Sequence, residues 1–588
     1  MKLLLFLALA FSSVVGGGYV PLPEYVEGEV LVKVRAEVSK ARVGSVHAKI
    51  GAQVVKSMSL KDGEVQRVKL PKGVSVAEAI TYYLSDPAVE YAEPNYIVRK
   101  AEIIPNDPFF SLQWGLRNVG QMVGGLPGVS GVDVGASYAW QTCTGGSAVV
   151  AVLDTGVDYN HPDLRDNIWR NTGETSCDNG VDEDNNGYVD DCFGWNFASN
   201  NNNPMDDDSD GHGTHVAGII GAVGNNGIGV SGVNWGVKIM PVKFLDAQGY
   251  GTVEQAVRAI RYAVDMGAKV INASYAYPSG CFSVSPSITE RNILEYARSK
   301  GVIVVSASGN YGCNNDNTPF YPASHRLDNV LSVSASNSIG GLPSWSNYGL
   351  RSVHLAAPGV KIYSALPSNQ YGFLSGTSMA SPFVSGAVAM LFSCRPELSY
   401  LQIREILLST AMALEDLRRT TISGGMLRLD RALQSPPVPA KPTLISISHS
   451  SGSITLTFQD NSYMEEGFVV QRGLSETNLI DIASLSSRQD SYDTLTFTDS
   501  QIQAGNTYYY RVCSYIGSNR SCSHTLHYTV ASSQQPQNNT GSSSGGGKGG
   551  CNTGTASHFL ITVFYILFAI VFRRFFLMSR RSSSSKRS

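Results

Sequence analysis

The chain has little net charge and no basic stripe. Its 588 residues contain 45 Lys and Arg and 48 Asp and Glu, which leaves a formal charge of −3 at pH 7. Proteins that bind nucleic acid usually concentrate Lys and Arg on one face or along one helix. We therefore expect no nucleic acid among the partners of this protein.

The sequence also lacks the helical zinc motif of metalloproteases. Such a motif has two His residues four positions apart, with a Glu beside the first. Here His215 follows His212 at a spacing of three, and Gly213 stands beside the first His. We expect His215 to be structural, and we expect no organic cofactor.

The amino terminus has a secretory pattern without a lipidation signal. In residues 1–18 a single Lys precedes a run of Leu, Phe and Ala that ends in small residues. This layout is typical of a signal peptide. No Cys closes the run, which argues against a lipoprotein. The pattern predicts that the protein is exported.

Three glycine-containing turns supply an acid, a base and a nucleophile. They are Leu153-Asp154-Thr155-Gly156, Gly211-His212-Gly213-Thr214-His215 and Gly376-Thr377-Ser378-Met379-Ala380-Ser381-Pro382. A serine hydroxyl attacks an amide only when a base removes its proton and a carboxylate orients that base. The order Asp, His, Ser is that of subtilisin. Residues 106–434 therefore resemble the subtilisin-like serine proteases, or subtilases.

The flanking sequence fits these roles. Residues 148–153 are continuously apolar, as in a buried parallel strand, which puts Asp154 at the carboxyl end of that strand. His212 and Ser378 each precede a helix rich in small apolar residues. We expect a doubly wound α/β domain with a parallel sheet. The resemblance implies that Asn310, after the apolar strand 302–307, donates to the oxyanion with the Ser378 amide.

The resemblance also implies where the substrate binds. The strand that starts at Val270 aligns with the family segment that pairs with the substrate backbone. The substrate-binding residues expected on this basis are Ser274, Tyr275, Ala276 and Gly251. Many relatives have glycine where this chain has Ala276 and Tyr277, and these larger side chains could narrow the cleft.

Residues 24–100 have the pattern of a small α+β domain. Strand, helix, strand, strand, helix and strand follow one another, which fits a ferredoxin-like fold. The segment resembles the inhibitory propeptide of subtilases. The resemblance implies a zymogen whose tail lies in the cleft until the chain cuts itself between about Asn95 and Asn106. A separate binding module is the alternative.

Between the acid and base turns lies an acidic loop. Oxygen-bearing residues at alternate positions followed by glycine resemble a calcium loop, although the closing Glu of an EF-hand is missing. So many carboxylates in a short segment would repel each other without a cation. We expect structural Ca²⁺ here, bound by the side chains of Asp182, Asp184 and Asn186, by the main-chain carbonyl of Tyr188, and by Asp190 or Asp191.

The composition changes after residue 434. A Pro-rich segment, 435–442, predicts a stiff linker. Residues 443–531 have short alternating strands typical of a seven-strand β-sandwich. This all-β domain resembles a fibronectin type III domain, with Tyr508 at the position of its tyrosine corner.

The last residues form a polar segment and an apolar tail. Residues 532–557 are rich in Gly and Ser, and 558–588 combine a short apolar span with a basic end. The apolar span of about 14 residues covers about 21 Å, which is short for a bilayer core of about 30 Å. The tail could be a membrane anchor, or a bacterial sorting signal, which it resembles. The basic residues predict that this end stays cytoplasmic.

Nine cysteines in an exported chain suggest disulfides. Cys177 and Cys192 flank the acidic loop, Cys281 and Cys313 flank the segment that leads to Asn310, and Cys513 and Cys522 flank a hairpin-like turn. By elimination Cys143 would pair with Cys394. Cys551 would stay unpaired.

Together these features predict an exported serine endopeptidase made as a zymogen. Its expected partners are protein or peptide substrates, its own propeptide, and envelope sorting or anchoring machinery, and the protein is expected to be a monomer at the cell surface or outside the cell. The alternative is a surface adhesin in which the protease domain is only a scaffold.

Overall fold

A computed structural model of the chain describes residues 25–61, 63–97, 102–487 and 493–531. The predicted signal peptide (residues 1–18), the segment 532–557, the predicted anchor or sorting tail (558–588) and Cys551 lie outside the described residues. So do residues 98–101, which belong to the expected self-cleavage segment.

The amino-terminal domain is an antiparallel sheet with two helices. The sheet order is β2-β3-β1-β4, and its core contains Val30, Val32 and Tyr83. Helix α2 begins with a capping box between Ser75 and Glu78. The elements follow the predicted ferredoxin-like order: β1 (Tyr25–Val34), α1 (Lys40–Ala48), β2 (Gln53–Leu60), β3 (Gly63–Lys69), α2 (Val76–Ser85) and β4 (Val89–Tyr96).

The central domain contains a nine-stranded sheet in the order β14-β15-β11-β10-β9-β8-β5-β7-β6. All of its pairs are parallel except β14 with β15. The strands are β5 (Val149–Asp154), β6 (Trp195–Asn196), β7 (Lys238–Lys243), β8 (Val270–Ala273), β9 (Ile303–Ala307), β10 (Val330–Ser336), β11 (Leu355–Pro358), β14 (Met412–Ala413) and β15 (Gly425–Met426). A separate hairpin is formed by β12 (Ile362–Leu366) and β13 (Gln370–Leu374).

Helices cover both faces of this sheet. They are α3 (Ala136–Ala139), α4 (His212–Gly221), α5 (Val253–Asp265), α6 (Ile288–Ser299), α7 (Thr377–Cys394), α8 (Tyr400–Thr410) and α9 (Leu429–Gln434). In β5, Val150 and Val152 join the core that contains α4 and α7, whereas Ala151 and Leu153 join the core that contains α5 and α6. The continuous apolar run of this strand thus reflects burial on both sides, as in other doubly wound sheets.

Among the described helices, α7 has the length and apolar composition that a membrane span would need. It is 83% buried inside the domain. Helix α7 is therefore the central core helix that follows Gly376.

The carboxyl-terminal domain is a β-sandwich of two sheets. One sheet has the order β16-β17-β20, and the other has the order β19-β18-β21-β22, with β23 also pairing with β21. The strands are β16 (Thr443–Ser450), β17 (Ser453–Gln459), β18 (Gly467–Ser475), β19 (Asn478–Ser486), β20 (Thr494–Asp499), β21 (Thr507–Ile516), β22 (Asn519–Cys522) and β23 (Leu526–Thr529).

The described residues of this domain form eight strands, whereas the sequence predicts seven. The additional break lies at Ser523, whose hydroxyl accepts the Val512 amide at 3.0 Å. Because this side chain takes the place of a main-chain acceptor, the edge strand is divided into β22 and β23.

The Pro-rich segment 435–442, which its composition predicts to be a stiff linker, is packed against the central domain. Ala440 is 1% exposed and belongs to the core of the central domain. Its amide donates to Glu405 on α8, and Arg404 donates to the main-chain oxygen of Asn461 at 3.0 Å. Buried hydrogen bonds therefore hold the sandwich against the central domain.

Candidate active site

Asp154 and His212 meet where β5 ends and α4 begins. The Nδ1 atom of His212 donates to Oδ1 of Asp154 at 2.7 Å, and the Asp154 side chain is fully buried. Gly213 permits this approach, because a Cβ at that position would lie 2.0 Å from the main-chain oxygen of Gly156. The carboxylate thus fixes the tautomer in which the Nε2 lone pair of His212 can accept a proton.

Ser378 lies in the first turn of α7, one residue after the helix begins. Its hydroxyl donates to the main-chain oxygen of Ser274 at 3.2 Å. The Ser378 hydroxyl thus bonds to Ser274 and not to His212. Hydrogen bonds between a nucleophile and its base are often long in a free enzyme and shorten when substrate binds. The side chain lines the same cleft as His212.

Asn310 follows β9 and contacts Thr377, the residue before Ser378. Its Oδ1 accepts the amide of Thr377 at 2.9 Å and the Thr377 hydroxyl at 2.8 Å. These two bonds occupy the carbonyl end of the side-chain amide, so the NH₂ group remains as the donor for the cleft. Thr377 is a positioning residue that the sequence reasoning missed, although it stands beside Ser378 in the Gly-Thr-Ser motif.

Several carboxylates surround the base. Burial opposes a charge on the His212 ring, but Asp154, Asp206 and Asp208 outweigh it and raise the pKa of His212 to about 9. Asp206 accepts the Thr155 hydroxyl at 2.9 Å and the Thr214 hydroxyl at 2.6 Å, and Asp208 accepts the His212 amide at 3.1 Å. This environment favours the imidazolium that forms during proton transfer.

His215 lies one turn further into α4. It is fully buried, and its Nε2 lies 3.0 Å from the main-chain oxygen of Ile362 and 3.2 Å from that of Gly372. Burial lowers the pKa of His215 to about 3, so the ring is neutral. The residue ties α4 to the β12–β13 hairpin, in agreement with a structural role.

The cleft beside these residues has a volume of about 750 Å³. All four residues expected to bind substrate, Gly251, Ser274, Tyr275 and Ala276, line it together with Ser378. The described residues that line it lie between Thr155 and Met379, and residues 25–61 and 63–97 are not among them.

The acidic loop brings only part of the predicted ligand set together. Asp182, Asp184 and Asn186 are adjacent, since the main-chain N–H of Asn186 donates to Asp182 at 3.1 Å and to Asp184 at 3.0 Å. Asp190 instead accepts the amides of Asn179 and Gly180, which stabilises a neighbouring turn.

Tyr188, predicted to bind through its main-chain carbonyl, packs its ring against Trp195, Phe197 and Tyr262. Asp191 is fully buried and accepts the Tyr262 hydroxyl at 2.6 Å and the Asn186 side-chain amide at 3.1 Å.

Glu174 is the loop residue that sequence reasoning missed. Oxygens of Glu174, Asp182 and Asp184 lie within 4.8 Å of one another. Glu174 is 8% exposed, and neither of its carboxylate oxygens has a hydrogen-bond donor among the described residues. Burial and the carboxylates Glu183, Asp191 and Asp184 raise its pKa to about 7. Three oxygen ligands with one undonated buried carboxylate fit a hard cation such as Ca²⁺.

Four disulfides are present in the described part of the chain. They join Cys143 to Cys394, Cys177 to Cys192, Cys281 to Cys313, and Cys513 to Cys522. The second closes the acidic loop, and the third holds the segment after Asn310 to the segment after β8.

Two family models match the chain. The Subtilase family model covers residues 145–433, and the Fervidolysin N-terminal prodomain model covers residues 21–95. These ranges coincide with the central domain and with the amino-terminal domain.

Curated relatives cover most of the described chain. A thermophilic serine proteinase of Bacillus sp. (strain AK1) is 36% identical over 371 residues, which span 63% of this chain and 79% of that protein. Thermitase of Thermoactinomyces vulgaris is 35% identical over 49% of this chain and 85% of its own. For subtilisin-like protease 1 of Plasmodium falciparum the identity is 35%, over 59% of this chain and 50% of that protein.

The match to the Bacillus proteinase exceeds 30% identity over more than two thirds of that protein. The two family models match the amino-terminal domain and the residues that surround the cleft. The chain therefore belongs to the subtilase family and is a subtilisin-like serine endopeptidase.

Proposed function

We propose that the protein is an exported zymogen that hydrolyses peptide bonds of protein substrates through an acyl-enzyme on Ser378. The observation that carries this proposal is the 2.7 Å bond from His212 Nδ1 to Asp154, which leaves Nε2 free to act as the base. Ser378 and Asn310 line the same cleft as His212.

In the acylation step the Ser378 Oγ attacks the scissile carbonyl carbon, and His212 Nε2 takes the hydroxyl proton. Asp154 stabilises the resulting imidazolium. The Asn310 side-chain amide and the Ser378 main-chain amide donate to the oxyanion. His212 then gives the proton to the leaving amine, and the C–N bond breaks.

In the second step a water molecule attacks the acyl-enzyme ester. His212 takes a proton from this water and returns it to Ser378 Oγ as the ester bond breaks. The carboxylate product leaves, and the enzyme regains its starting state.

A fluorophosphonate reagent tests this mechanism directly. It should label Ser378 in the protein after removal of its propeptide, as located by peptide mass mapping. In His212→Ala, from which an added protease has removed the propeptide, the labelling should be lost. Labelling at another serine, or undiminished labelling of the His212 variant, would contradict the assignment.

The amino-terminal domain acts as the inhibitory propeptide in this proposal. The match to the Fervidolysin N-terminal prodomain supports this role. Its strand β2 is exposed along its whole length and carries four exposed apolar side chains, Val54, Val55, Met58 and Leu60. An apolar strand of this kind suits a domain that associates with another surface.

Calcium binds the acidic loop in this proposal. Glu174, Asp182 and Asp184 would hold the ion, with Asn186 beside them. The ion would neutralise the carboxylate cluster and stabilise the loop that Cys177 and Cys192 close. Its role is structural.

Export to the cell surface completes the proposal. The secretory pattern of residues 1–18 supports it, and a cell wall-associated protease of Bacillus subtilis (strain 168) is 36% identical over 57% of this chain and 33% of its own. Anchoring or sorting by residues 558–588 is part of the proposal.

The sandwich would be a fibronectin type III domain used for spacing or binding. One contact supports this identity: the Tyr508 hydroxyl accepts the Gln503 amide at 2.9 Å, as in a tyrosine corner. A surface adhesin remains the alternative function. A Ser378→Ala protein that kept the full biological effect would favour the adhesin.

A further inference from the structure

We use the name recess for the part of the cleft wall near the starts of α5 and α6. Val253 and Ala256 of α5 contribute to it, as does Glu290 of α6. Tyr275 and Tyr277, which follow β8, also line this part of the cleft.

Glu290 has one satisfied and one unsatisfied oxygen. Its side chain is fully buried, and Oε2 accepts from the Tyr277 hydroxyl at 2.8 Å and pairs with His325 Nε2 at 2.8 Å. Oε1 has no donor among the described residues. A buried acceptor without a donor is destabilising, because the oxygen has lost its hydrogen bonds to water and has formed none within the protein.

The Tyr275 hydroxyl is unsatisfied as well. It is buried and has no hydrogen-bond partner in the described part of the chain. Its ring packs edge-on against Phe244, with centroids 4.7 Å apart, which fixes its position. The recess therefore contains an unpaired carboxylate oxygen and an unpaired hydroxyl, and both could bond to an entering ammonium or guanidinium group.

Carboxylates outnumber cationic groups in the cleft, where His212, with its raised pKa, is the one cationic side chain among the described lining residues. The ionisable side chains of the cleft, among the described residues that line it, are Asp208, Asp210, Glu290 and the base His212, with no Lys or Arg. Like charges in a concave site of low dielectric constant focus the potential and raise the local concentration of the opposite charge.

The segment that the enzyme would cut first contains basic residues. Between Asn95 and Asn106 the sequence has two cationic side chains, Arg99 and Lys100, and they are adjacent. The first segment to be cut therefore contains cationic side chains, which the negative charge of the cleft carboxylates favours.

We propose that this protease selects polypeptide segments that carry Lys or Arg, and that Glu290 and Tyr275 receive one of these basic side chains. The inference rests on the proposed endopeptidase function and names its substrate class. Glu290 forms a charge-assisted hydrogen bond with the basic side chain of the substrate, and a neutral substrate side chain of equal length could not form this bond.

The test uses the protein after removal of its propeptide, together with a random peptide library. Mass spectrometry identifies the cleavage products. We expect Lys and Arg to be enriched at least tenfold at one position. Paired peptides with Lys or norleucine at that position then give a ratio of kcat/KM values. Glu290→Gln should lower this ratio at least fivefold, whereas the control Glu295→Gln should leave it unchanged.

The control residue lies on the same helix, where Glu295 pairs with Arg291 on the exposed side. If Glu290→Gln fails to fold, Tyr275→Phe replaces it and should lower the ratio at least twofold. A library without basic enrichment, or a ratio unchanged in the folded variant, overturns the inference. No cleavage of any peptide contradicts the proposed function instead.

Discussion

The hydroxyl of Ser274 donates to the main-chain oxygen of Ser378 at 3.0 Å. In an unbroken helix the amide four residues later would take that place, but residue 382 is proline and has no N–H. The side chain of a neighbouring loop therefore satisfies the carbonyl of the nucleophile. This bond fixes the start of α7 relative to the end of β8.

Ser274→Ala should lower kcat because the main chain at Ser378 loses this anchor. A hydrogen bond of this kind contributes about 0.5–1.5 kcal/mol, so we expect a loss of about 2- to 10-fold. Peptide hydrolysis at saturating substrate measures it. Ser299→Ala removes an exposed hydroxyl bonded to Tyr296 and is the matched control. A Ser274 variant with full kcat would contradict the anchoring role.

Thr377→Val should reduce kcat more than it changes KM. The substitution removes one of the two bonds that orient the Asn310 amide, so the oxyanion donor becomes less well fixed. We expect a loss of about 10-fold in kcat, against about 10²–10³-fold for Asn310→Ala, which removes the donor itself. Equal losses in the two variants would show that Thr377 does more than position Asn310.

The pH profile should be shifted to alkaline values. His212 must be neutral to accept the Ser378 proton, and nearby carboxylates raise its pKa to about 9. The kcat/KM of the wild-type enzyme should therefore rise with pH until about that value. Asp208→Asn removes one of these charges and should move the rise to lower pH. A rise centred near 6.5 in the wild type would contradict the charge argument.

Calcium should stabilise the enzyme through Glu174. Adding CaCl₂ to chelator-treated protein at constant pH should raise the melting temperature, because the ion neutralises the acidic cluster of the loop. In Glu174→Gln the increase should be much smaller, and calorimetric titration should show weaker binding. Asp178→Asn, which replaces an exposed carboxylate bonded to Ser176, is the control. No heat of calcium binding to the wild type would exclude the site.

The sequence was most informative where a pattern reflects local geometry. The apolar run of β5 and the capped helix α2 follow from residues that are neighbours in the chain. The positions of Asp154, His212 and Ser378 follow from three short motifs. In each case the chemical signal and the fold signal lie within a few residues of one another.

Long-range contacts were not readable in this way. Glu174 lies eight residues before Asp182, so the alternate-position pattern of the calcium loop does not include it. The Pro-rich segment has the composition of a spacer, and only tertiary structure shows that Ala440 donates to Glu405. Glu290 lies in the first turn of α6, and only the tertiary structure brings it beside Tyr275 and Tyr277, which lie before it in the chain.

The most direct test of the central claim compares the full-length protein with its Ser378→Ala variant. The amino-terminal sequence and intact mass of each secreted product are determined, and each is then incubated with casein. The account predicts that the wild type alone removes its propeptide and cleaves casein. Casein cleavage by the Ser378→Ala variant would contradict the assignment of the nucleophile, and equal processing of both proteins would show that another protease matures the chain.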